Sequence, residues 1–241
     1  MRPPLSRLIA IYTPLLQATA LMLALLIAWD ATGLDPVLAQ AFGNAQGFAL
    51  RENFWTTQVF HRGARNAGWL VVLALLVNVW RPWGAFKSTT RTERVRCIVS
   101  VFACLLLVLV FRRYSSSSCP WDLAAFGGAG TGGGAWVSHW NWWLTDGGPG
   151  KCFPSGHASA GFAFIAVFFT LNRHNVTVAR SFAAIILVAG LFFGLIQQMR
   201  GAHFLSHTLW TGFTCWSLCL AIDMAAGWRG LRQPIGSAQP T

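Results

Sequence analysis

The sequence predicts an all-α fold in which six transmembrane helices form a bundle with interfacial loops on its outer face. Hydrophobic residues make up 54% of the 241 residues and charged residues only 10%, which is more apolar than one soluble core requires. Long apolar runs recur along the chain, with polar loops between them. Neither an internal repeat nor a soluble-domain signature interrupts this pattern, so we expect a single membrane domain over residues 1–241.

The first apolar run follows an Arg-bearing start and is longer than the core of a signal peptide, so we expect it to be retained as a span. Several other runs are shorter than the ~20 residues that a lone span needs. Flanking aromatic or polar residues are therefore expected to complete them. The six spans are predicted over residues 8–28, 67–83, 95–111, 157–172, 182–197 and 205–225.

The formal net charge of +11 comes from basic residues spread among the loops. They form neither an arm nor a stripe, so nucleic acid is not an expected partner. With the N-terminus inside, the shorter inner segments carry eleven of the 18 Lys and Arg residues and the outer segments carry seven. The positive-inside rule then predicts both termini in the cytoplasm, and we expect the bacterial inner membrane as the location. The lipid bilayer is its expected environment, and the oligomeric state is left open.

Two outer segments separate the spans. In residues 29–66, Phe and Trp residues alternate with polar ones, which fits either a helix lying on the bilayer or a helix packed on the spans. The second outer segment contains the glycine tract Gly127–Gly134, which predicts a mobile loop. Tryptophans around this tract suit an interfacial belt or a lid over a lipid headgroup.

Cys119 and Cys152 lie in the outer loops. A disulfide between them is possible if those loops face an oxidising compartment. The remaining four cysteines lie in apolar runs and are expected to be packing residues: Cys97, Cys104, Cys215 and Cys219.

Under this topology, three polar clusters fall on the outer face. They are Arg112–Arg113 after the third run, Lys151–His157 before the fourth, and Arg200–His207 between the fifth and sixth. Single ionisable residues at span ends usually reach out to water. Three clusters that converge on one face favour a functional site.

These residue types suit phosphoryl transfer. Guanidinium groups and backbone N–H groups can hold an anionic group while a nucleophile attacks in line. Histidines on two separate elements allow one to attack phosphorus and the other to protonate the leaving oxygen. Because Arg and Lys supply the cations, neither a metal nor another cofactor is expected. Asp122 and Asp146 are the only acids near these clusters.

The sequence Pro154-Ser155-Gly156-His157 resembles the second motif of the type 2 phosphatidic acid phosphatase superfamily, the membrane lipid phosphatases related to vanadium haloperoxidases. Arg112-x6-Cys119-Pro120 resembles its first motif, Lys-x6-Arg-Pro, with two substitutions. The stretch from Gly201 to Ser206, with His203 at its third position, resembles the end of its third motif. The resemblance covers about residues 95–225 and implies a six-helix membrane fold.

The resemblance also implies roles. His203 would be the nucleophile that forms a phosphohistidine, and His157 would protonate the leaving alcohol. Arg113 or Lys151 is the candidate replacement for the cation that the first motif lacks at Cys119. The implied phosphate-binding set is Arg112, Arg113, Lys151, Ser155, Gly156 and Arg200.

The third motif departs from the family pattern at two positions. Gln197 stands where the family has Arg, and His207 stands where it has the Asp that orients the nucleophile. A neutral imidazole cannot stabilise an imidazolium as a carboxylate does, so Asp122 is a candidate substitute. In an alternative register His207 is the nucleophile, although the spacing from Arg200 is then one residue too long and Thr211 occupies the Asp position.

The resemblance therefore predicts a metal-independent phosphoric ester hydrolase that acts on a lipid phosphate at the periplasmic face. Candidate substrates are phosphatidic acid or phosphatidylglycerol phosphate, undecaprenyl diphosphate, and a phosphate of lipid A. Two alternatives remain open. One is a phosphotransferase that passes the phosphate to another lipid, and the other is a non-catalytic protein that binds or transports anionic lipids.

Overall fold

The computed structural model describes residues 5–128, 134–141 and 143–232, and these are mostly helical. A π-helical segment, Trp55–Arg62, leads directly into the third α-helix. Gly43–Asn44 (β1) and Gly47–Phe48 (β2) pair as a short antiparallel ladder. The α-helices are α1 Leu5–Thr32, α2 Asp35–Ala39, α3 Gly63–Trp80, α4 Arg91–Tyr114, α5 Ser159–Phe162, α6 Ala166–Leu171, α7 Val176–Met199 and α8 Leu205–Arg232.

Within the described residues, five helical stretches are long and apolar enough to cross a membrane. The fourth of the six predicted runs instead forms the shorter apolar stretch Ser159–Leu171, in which the 3₁₀ turn Ala163–Ile165 separates α5 from α6. At 1.5 Å per residue this stretch is roughly 20 Å long, less than the ~30 Å hydrocarbon core. The five longer stretches are Leu8–Thr32, Trp55–Ser88, Arg91–Tyr114, Val176–Met199 and Leu205–Gly227.

Helix starts follow from local capping. Thr90 begins α4 with a capping box: its hydroxyl accepts from the N–H of Glu93, and the Glu93 carboxylate accepts from the N–H of Thr90. Asn175 begins α7 by accepting from the N–H of Val178 through its side chain. These contacts satisfy backbone donors that have no partner inside the helix.

The short stretch α5–α6 lies at the centre of the helical assembly. Every residue of α6 is buried, and the main apolar cluster surrounds it with side chains from α1, α3, α4, α7 and α8. Large apolar side chains point outward from the surrounding helices, including Leu21, Leu70, Leu106 and Val188 at more than 60% exposure. An outer surface this apolar suits lipid rather than water.

Two close backbone approaches fix how α7 packs. A Cβ at Gly161 would lie 2.7 Å from the backbone of Gly190, so α5 and α7 pack with their main chains in contact. A Cβ at Gly194 would clash with Thr208 of α8. Small residues allow this approach in membrane helices, and it brings the C-terminal end of α7 beside the start of α8.

The helical assembly has two distinct ends. At one end, Asp223 accepts from Tyr12 at 2.9 Å and pairs with Arg173 at 2.9 Å and Arg96 at 3.5 Å. We call the other end of the assembly the motif end. There the last turn of α4, the start of α5 and the connection from α7 to α8 meet beneath an apolar cluster that includes Phe48. All three predicted polar clusters lie at the motif end.

The first outer segment differs from a single interfacial helix. Residues 29–66 form the end of α1, then α2, the β1–β2 ladder and the π-helical segment. The side chain of Phe48 packs against Phe126 with ring centroids 5.1 Å apart. Part of this segment therefore packs on the protein. Of the predicted glycine loop, residues 129–133 lie outside the described residues.

Candidate active site

The imidazoles of His157 and His203 meet at the motif end, with ring centroids 5.7 Å apart. His157 follows the Ser155-Gly156 turn that precedes α5, and His203 lies in the connection between α7 and α8. The fold thus brings together two histidines that are far apart in sequence. Two imidazoles this close together can act on one reacting group.

Arg112 comes to the same place from the last turn of α4. Its Nε donates to the carbonyl oxygen of Lys151 at 2.8 Å, and its Nη1 would lie 3.4 Å from a Cβ at Gly156. The absence of a side chain at Gly156 therefore lets the guanidinium approach the turn closely. Lys151 contributes through its main chain, since its side chain is exposed.

Arg200 is buried at the end of α7. Its Nε donates to the carbonyl of Arg51 at 3.1 Å, and its Nη1 donates to the Gln197 side chain at 3.3 Å. Its guanidinium carbon lies 5.9 Å from the ring of Trp121. Burial lowers the pKa of Arg200 from its ordinary value, and the field of its charge reaches His157.

His61 is a member of the site that the sequence did not assign. Its Nε2 lies 2.5 Å from Nε2 of His157, and the two ring centroids are 4.3 Å apart. The sequence feature that could have indicated a role for His61 is the basic stretch His61-Arg62-Gly63-Ala64-Arg65, whose composition suits contact with anionic lipid headgroups. The π-helical segment carries His61 into the site, and no sequence period predicts such a segment.

The pKa values of His157 and His203 are both strongly lowered. The pKa of His157 is lowered to about 3, chiefly by burial and then by the positive field of His61, Arg112 and Arg200. The pKa of His203 is lowered well below its ordinary value, again chiefly by burial, with His207 next. Both rings are therefore neutral near pH 7, which is the form a nitrogen nucleophile requires. An anion bound between them would raise both pKa values.

A cavity of about 350 Å³ opens beside His157. One part of its wall is apolar and comes from α4, α7 and the π-helical segment, with Leu105, Leu109, Phe193 and Phe60 among its residues. The other part is polar and cationic. It is formed by His61, Arg65, Arg112, Gly156, His157, Ser159 and Gln197.

Cys119 and Cys152 form a disulfide, the outcome that the sequence left open. The Cys152 sulfur lies 3.4 Å from Nδ1 of His203, and because it carries no hydrogen it can only accept from that nitrogen. These two sulfurs and His203 bring three potential metal-ligand atoms within 4.8 Å of one another. In the disulfide neither sulfur is a thiolate, which is the form that binds metal.

His207 lies in the first turn of α8 and is buried behind His203, with ring centroids 5.7 Å apart. Its carbonyl oxygen accepts from the N–H of Ser155 at 3.1 Å and from the Thr211 hydroxyl at 2.7 Å. Within the described part of the chain, no ring contact joins His207 to His157. The geometry therefore places His203, rather than His207, next to the second histidine.

Three of the expected phosphate-binding residues lie elsewhere. The side chains of Arg113 and Lys151 are exposed and do not line the cavity. Ser155 is fully buried: its N–H donates to His207, and its hydroxyl accepts from the N–H of Ala158 at 3.4 Å. Ser155 thus shapes the turn from below, because both polar groups are used to hold local backbone.

The candidate orienting acid, Asp122, accepts from the indole of Trp121 at 3.1 Å, and burial raises its pKa. Sequence reasoning missed a different acid, Asp30, which lies near His207 through His139. Nε2 of His139 is 3.4 Å from Asp30, and the rings of His139 and His207 are 6.2 Å apart. Asp30 ends the first span and His139 lies among the loop tryptophans, so neither belongs to a recognisable motif.

The fold defines a membrane-type helical protein with a cluster of histidine and arginine side chains at one end. A family model described as the PAP2 superfamily matches residues 93–229, more than half of the chain, and the chain belongs to this family. This confirms the resemblance predicted from the three motifs. No curated protein and no solved structure shows a significant match to the chain. Membership in this family indicates phosphatase activity on phosphate esters.

Proposed function

We propose that this protein is a lipid phosphate phosphatase of the bacterial inner membrane that works through a phosphohistidine on the periplasmic face. The observation that carries the proposal is the meeting of His157 and His203, 5.7 Å apart, beside the Arg112 guanidinium. His157 and Arg112 line the adjoining cavity together with apolar residues, among them Leu105, Leu109 and Phe193. An amphiphile with a phosphate head fits this arrangement better than a soluble ester.

In the proposed first step, the Nε2 lone pair of His203 attacks phosphorus and the bond from phosphorus to the lipid oxygen breaks. His157, which the charge of the bound phosphate favours in its protonated form, donates a proton to that oxygen, so the lipid leaves as an alcohol. Nδ1 of His203 faces the Cys152 sulfur, and no hydrogen bond to Nε2 is present within the described residues. This supports Nε2 as the attacking atom.

In the second step, water attacks the phosphohistidine while His157 takes a proton from it. The bond from phosphorus to nitrogen breaks, inorganic phosphate leaves, and both histidines return to their starting forms. This step balances without a metal or a redox partner. The proposed reaction is therefore metal-independent, with the positive charge supplied by arginine.

Arg112 and Arg200 are the proposed phosphate-binding cations. The free backbone donors of the turn add to them, since among the described residues no acceptor is bonded to the N–H of Gly156 or of His157. Guanidinium and N–H groups aimed at one anion stabilise the charge that develops on its oxygens. Arg65, which also lines the cavity, would face a second phosphate or the glycerol region of a lipid.

The test is phosphate release by the purified protein in detergent with EDTA. The panel contains phosphatidic acid, phosphatidylglycerol phosphate, undecaprenyl diphosphate and lipid A. We expect turnover of at least one of them, and an acid-labile phosphoprotein after rapid quenching. His203→Ala should reduce release by about 10³-fold or more, whereas His174→Ala, an exposed histidine at the opposite end, should leave it unchanged.

Three results would contradict the proposal. Activity that EDTA abolishes would show that a metal performs the hydrolysis. Full turnover by His203→Ala combined with loss in His207→Ala would assign the nucleophile to the other register. Lipid binding without turnover in any form would indicate a binding or transport protein instead.

A further inference from the structure

Five of the six histidines form a continuous row that starts at the cavity and ends at a buried carboxylate. Successive ring centroids lie 4.3 Å apart from His61 to His157, 5.7 Å from there to His203, 5.7 Å to His207 and 6.2 Å to His139. We call this set the imidazole row.

The row ends at Asp30, whose carboxylate lies 3.4 Å from Nε2 of His139. The same carboxylate oxygen accepts from the indole N–H of Trp140 at 2.7 Å and of Trp210 at 2.8 Å. Both indoles are neutral, and in the described part of the chain no Lys or Arg pairs with Asp30. The imidazole of His139 is therefore the group on which its charge acts most directly.

His139 is held in a fixed orientation. Its ring stacks on Phe153 with centroids 4.1 Å apart and planes inclined by 10°. Phe153 also contacts the edge of His207, at 5.3 Å between centroids. One aromatic side chain thus positions two neighbouring members of the row.

Asp30 and three histidines of the row carry buried polar atoms without a hydrogen-bond partner among the described residues. These atoms are Oδ1 of Asp30, Nε2 of His139, Nδ1 of His207 and Nδ1 of His157, and Nε2 of His139 has only its 3.4 Å ion-pair contact with Asp30. Leaving such an atom unpaired costs about 1–3 kcal/mol. A run of them in one place is unusual in a structural core and is characteristic of a functional site.

We propose that Asp30 is a positioning residue of this site, acting through His139 and His207 on the imidazole of His203. This inference rests on the proposed function. When Nε2 of His203 bonds to phosphorus, its ring gains positive charge. The sulfur beside Nδ1 is only a weak acceptor, and His207, four residues along the chain, carries no negative charge. Asp30 supplies that charge at the far end of the row and favours the phosphorylated, cationic ring over the neutral one.

The chain offers a matched pair of carboxylates for the test. Asp30→Asn keeps the shape of the side chain and one accepting oxygen but removes the charge. The control is Asp35→Asn, five residues away in sequence. Asp35 is buried and accepts from the Trp29 indole at 3.0 Å and from the N–H of Ser206 at 3.1 Å, outside the imidazole row. We expect Asp30→Asn to lower kcat by about 10- to 100-fold with KM nearly unchanged, and the control to stay within about threefold.

A second variant separates this role from folding. His139→Phe retains an aromatic ring to stack on Phe153 but removes both ring nitrogens, so it interrupts the row. We expect it to lower kcat as Asp30→Asn does. The double variant should show no additional loss, because both changes break one coupled chain. Losses that multiply in the double variant, or a folded Asp30→Asn protein with normal kcat, would overturn the inference while leaving the proposed function intact.

A readout independent of turnover completes the test. In protein labelled with ¹⁵N-histidine, the ring-nitrogen shifts of His207 and His203 report their tautomers. We expect these shifts to change in Asp30→Asn and not in Asp35→Asn. If the shifts do not change in Asp30→Asn, the inference is wrong, whether or not the protein hydrolyses a lipid phosphate. A failure to hydrolyse any lipid phosphate contradicts only the proposed function.

Discussion

The Nε2 atoms of His61 and His157 lie 2.5 Å apart. At this separation one nitrogen must carry the hydrogen and the other must accept it, so the two rings cannot both be protonated at Nε2. His157 is the proposed acid, and His61 therefore controls the proton that it delivers.

Changing His61 to Phe should make the reaction tolerate higher pH. The pKa of His157 is lowered to about 3 by burial first and by the field of His61 second. Removing that field raises the pKa, so the acid keeps its proton as the pH rises. The alkaline limb of kcat, which reports the substrate complex in which the bound phosphate raises this pKa, should move upward when measured between pH 4 and 9.

The matched control is Arg62→Gln, an exposed neighbour whose charge does not act directly on His157. Its alkaline limb should coincide with that of the unchanged protein. If the alkaline limb of the pH profile does not move in His61→Phe, the assignment of His61 to the site is wrong.

Arg112 and Arg113 are adjacent in sequence but differ in environment. Arg112 lines the cavity and contacts the Lys151 carbonyl, while Arg113 is exposed. Arg112→Gln should lower kcat/KM for a lipid phosphate by about 100-fold, because it removes a charge-assisted contact to the phosphate. Arg113→Gln should stay within about twofold of the unchanged protein. Equal losses in both variants would indicate that the two arginines act through general membrane electrostatics.

The Cys119–Cys152 disulfide should stabilise the motif end. It closes a loop with a sequence separation of 33 residues, for which chain entropy predicts about 3–4 kcal/mol. Replacing both cysteines by Ala should lower the midpoint of thermal unfolding in detergent, and it should lower activity because the disulfide sulfur lies against His203. A reductant should bring the unchanged protein to the same midpoint and leave the variant unaffected. If the reductant also lowers the unfolding midpoint of the double Ala variant, it acts on a group other than this disulfide.

Stability should fall as the pH is lowered from about 6.5. The pKa values of His157 and His203 are lower in the folded protein than in the unfolded chain, so the unfolded state binds more protons below pH ~6.5. The stability is fully present above that pH and is lost as the pH falls toward the folded pKa values.

The midpoint of thermal unfolding, compared at pH 7.5 and pH 4.5, measures this loss. It should be smaller in His203→Gln, which cannot take up the proton. His174→Gln, at the opposite end, should show the same loss as the unchanged protein. An equal loss in His203→Gln would contradict the assignment of the effect to this ring.

Much of the candidate site could be anticipated from local sequence. Pro154–His157 is continuous, and the clusters at Arg112 and Arg200 follow apolar runs, so their location on one face followed from counting spans. The membrane-type helices followed from composition in the same way, because apolar length is a local property. One predicted span is the short stretch Ser159–Leu171. Its apolar side chains are buried against neighbouring helices and do not face lipid, and apolar composition alone does not distinguish these two environments.

The sequence alone determined the apolar helices and the family, and it singled out His157 and His203 as candidates, because each depends on residues close together in the chain. Only the tertiary structure decided that His61 meets His157, that Ser155 faces the backbone, and that Asp30 closes a row of imidazoles. These contacts join residues as many as 109 positions apart, from Asp30 to His139. They arise from how the helices and loops pack at one end, and no local pattern encodes that packing.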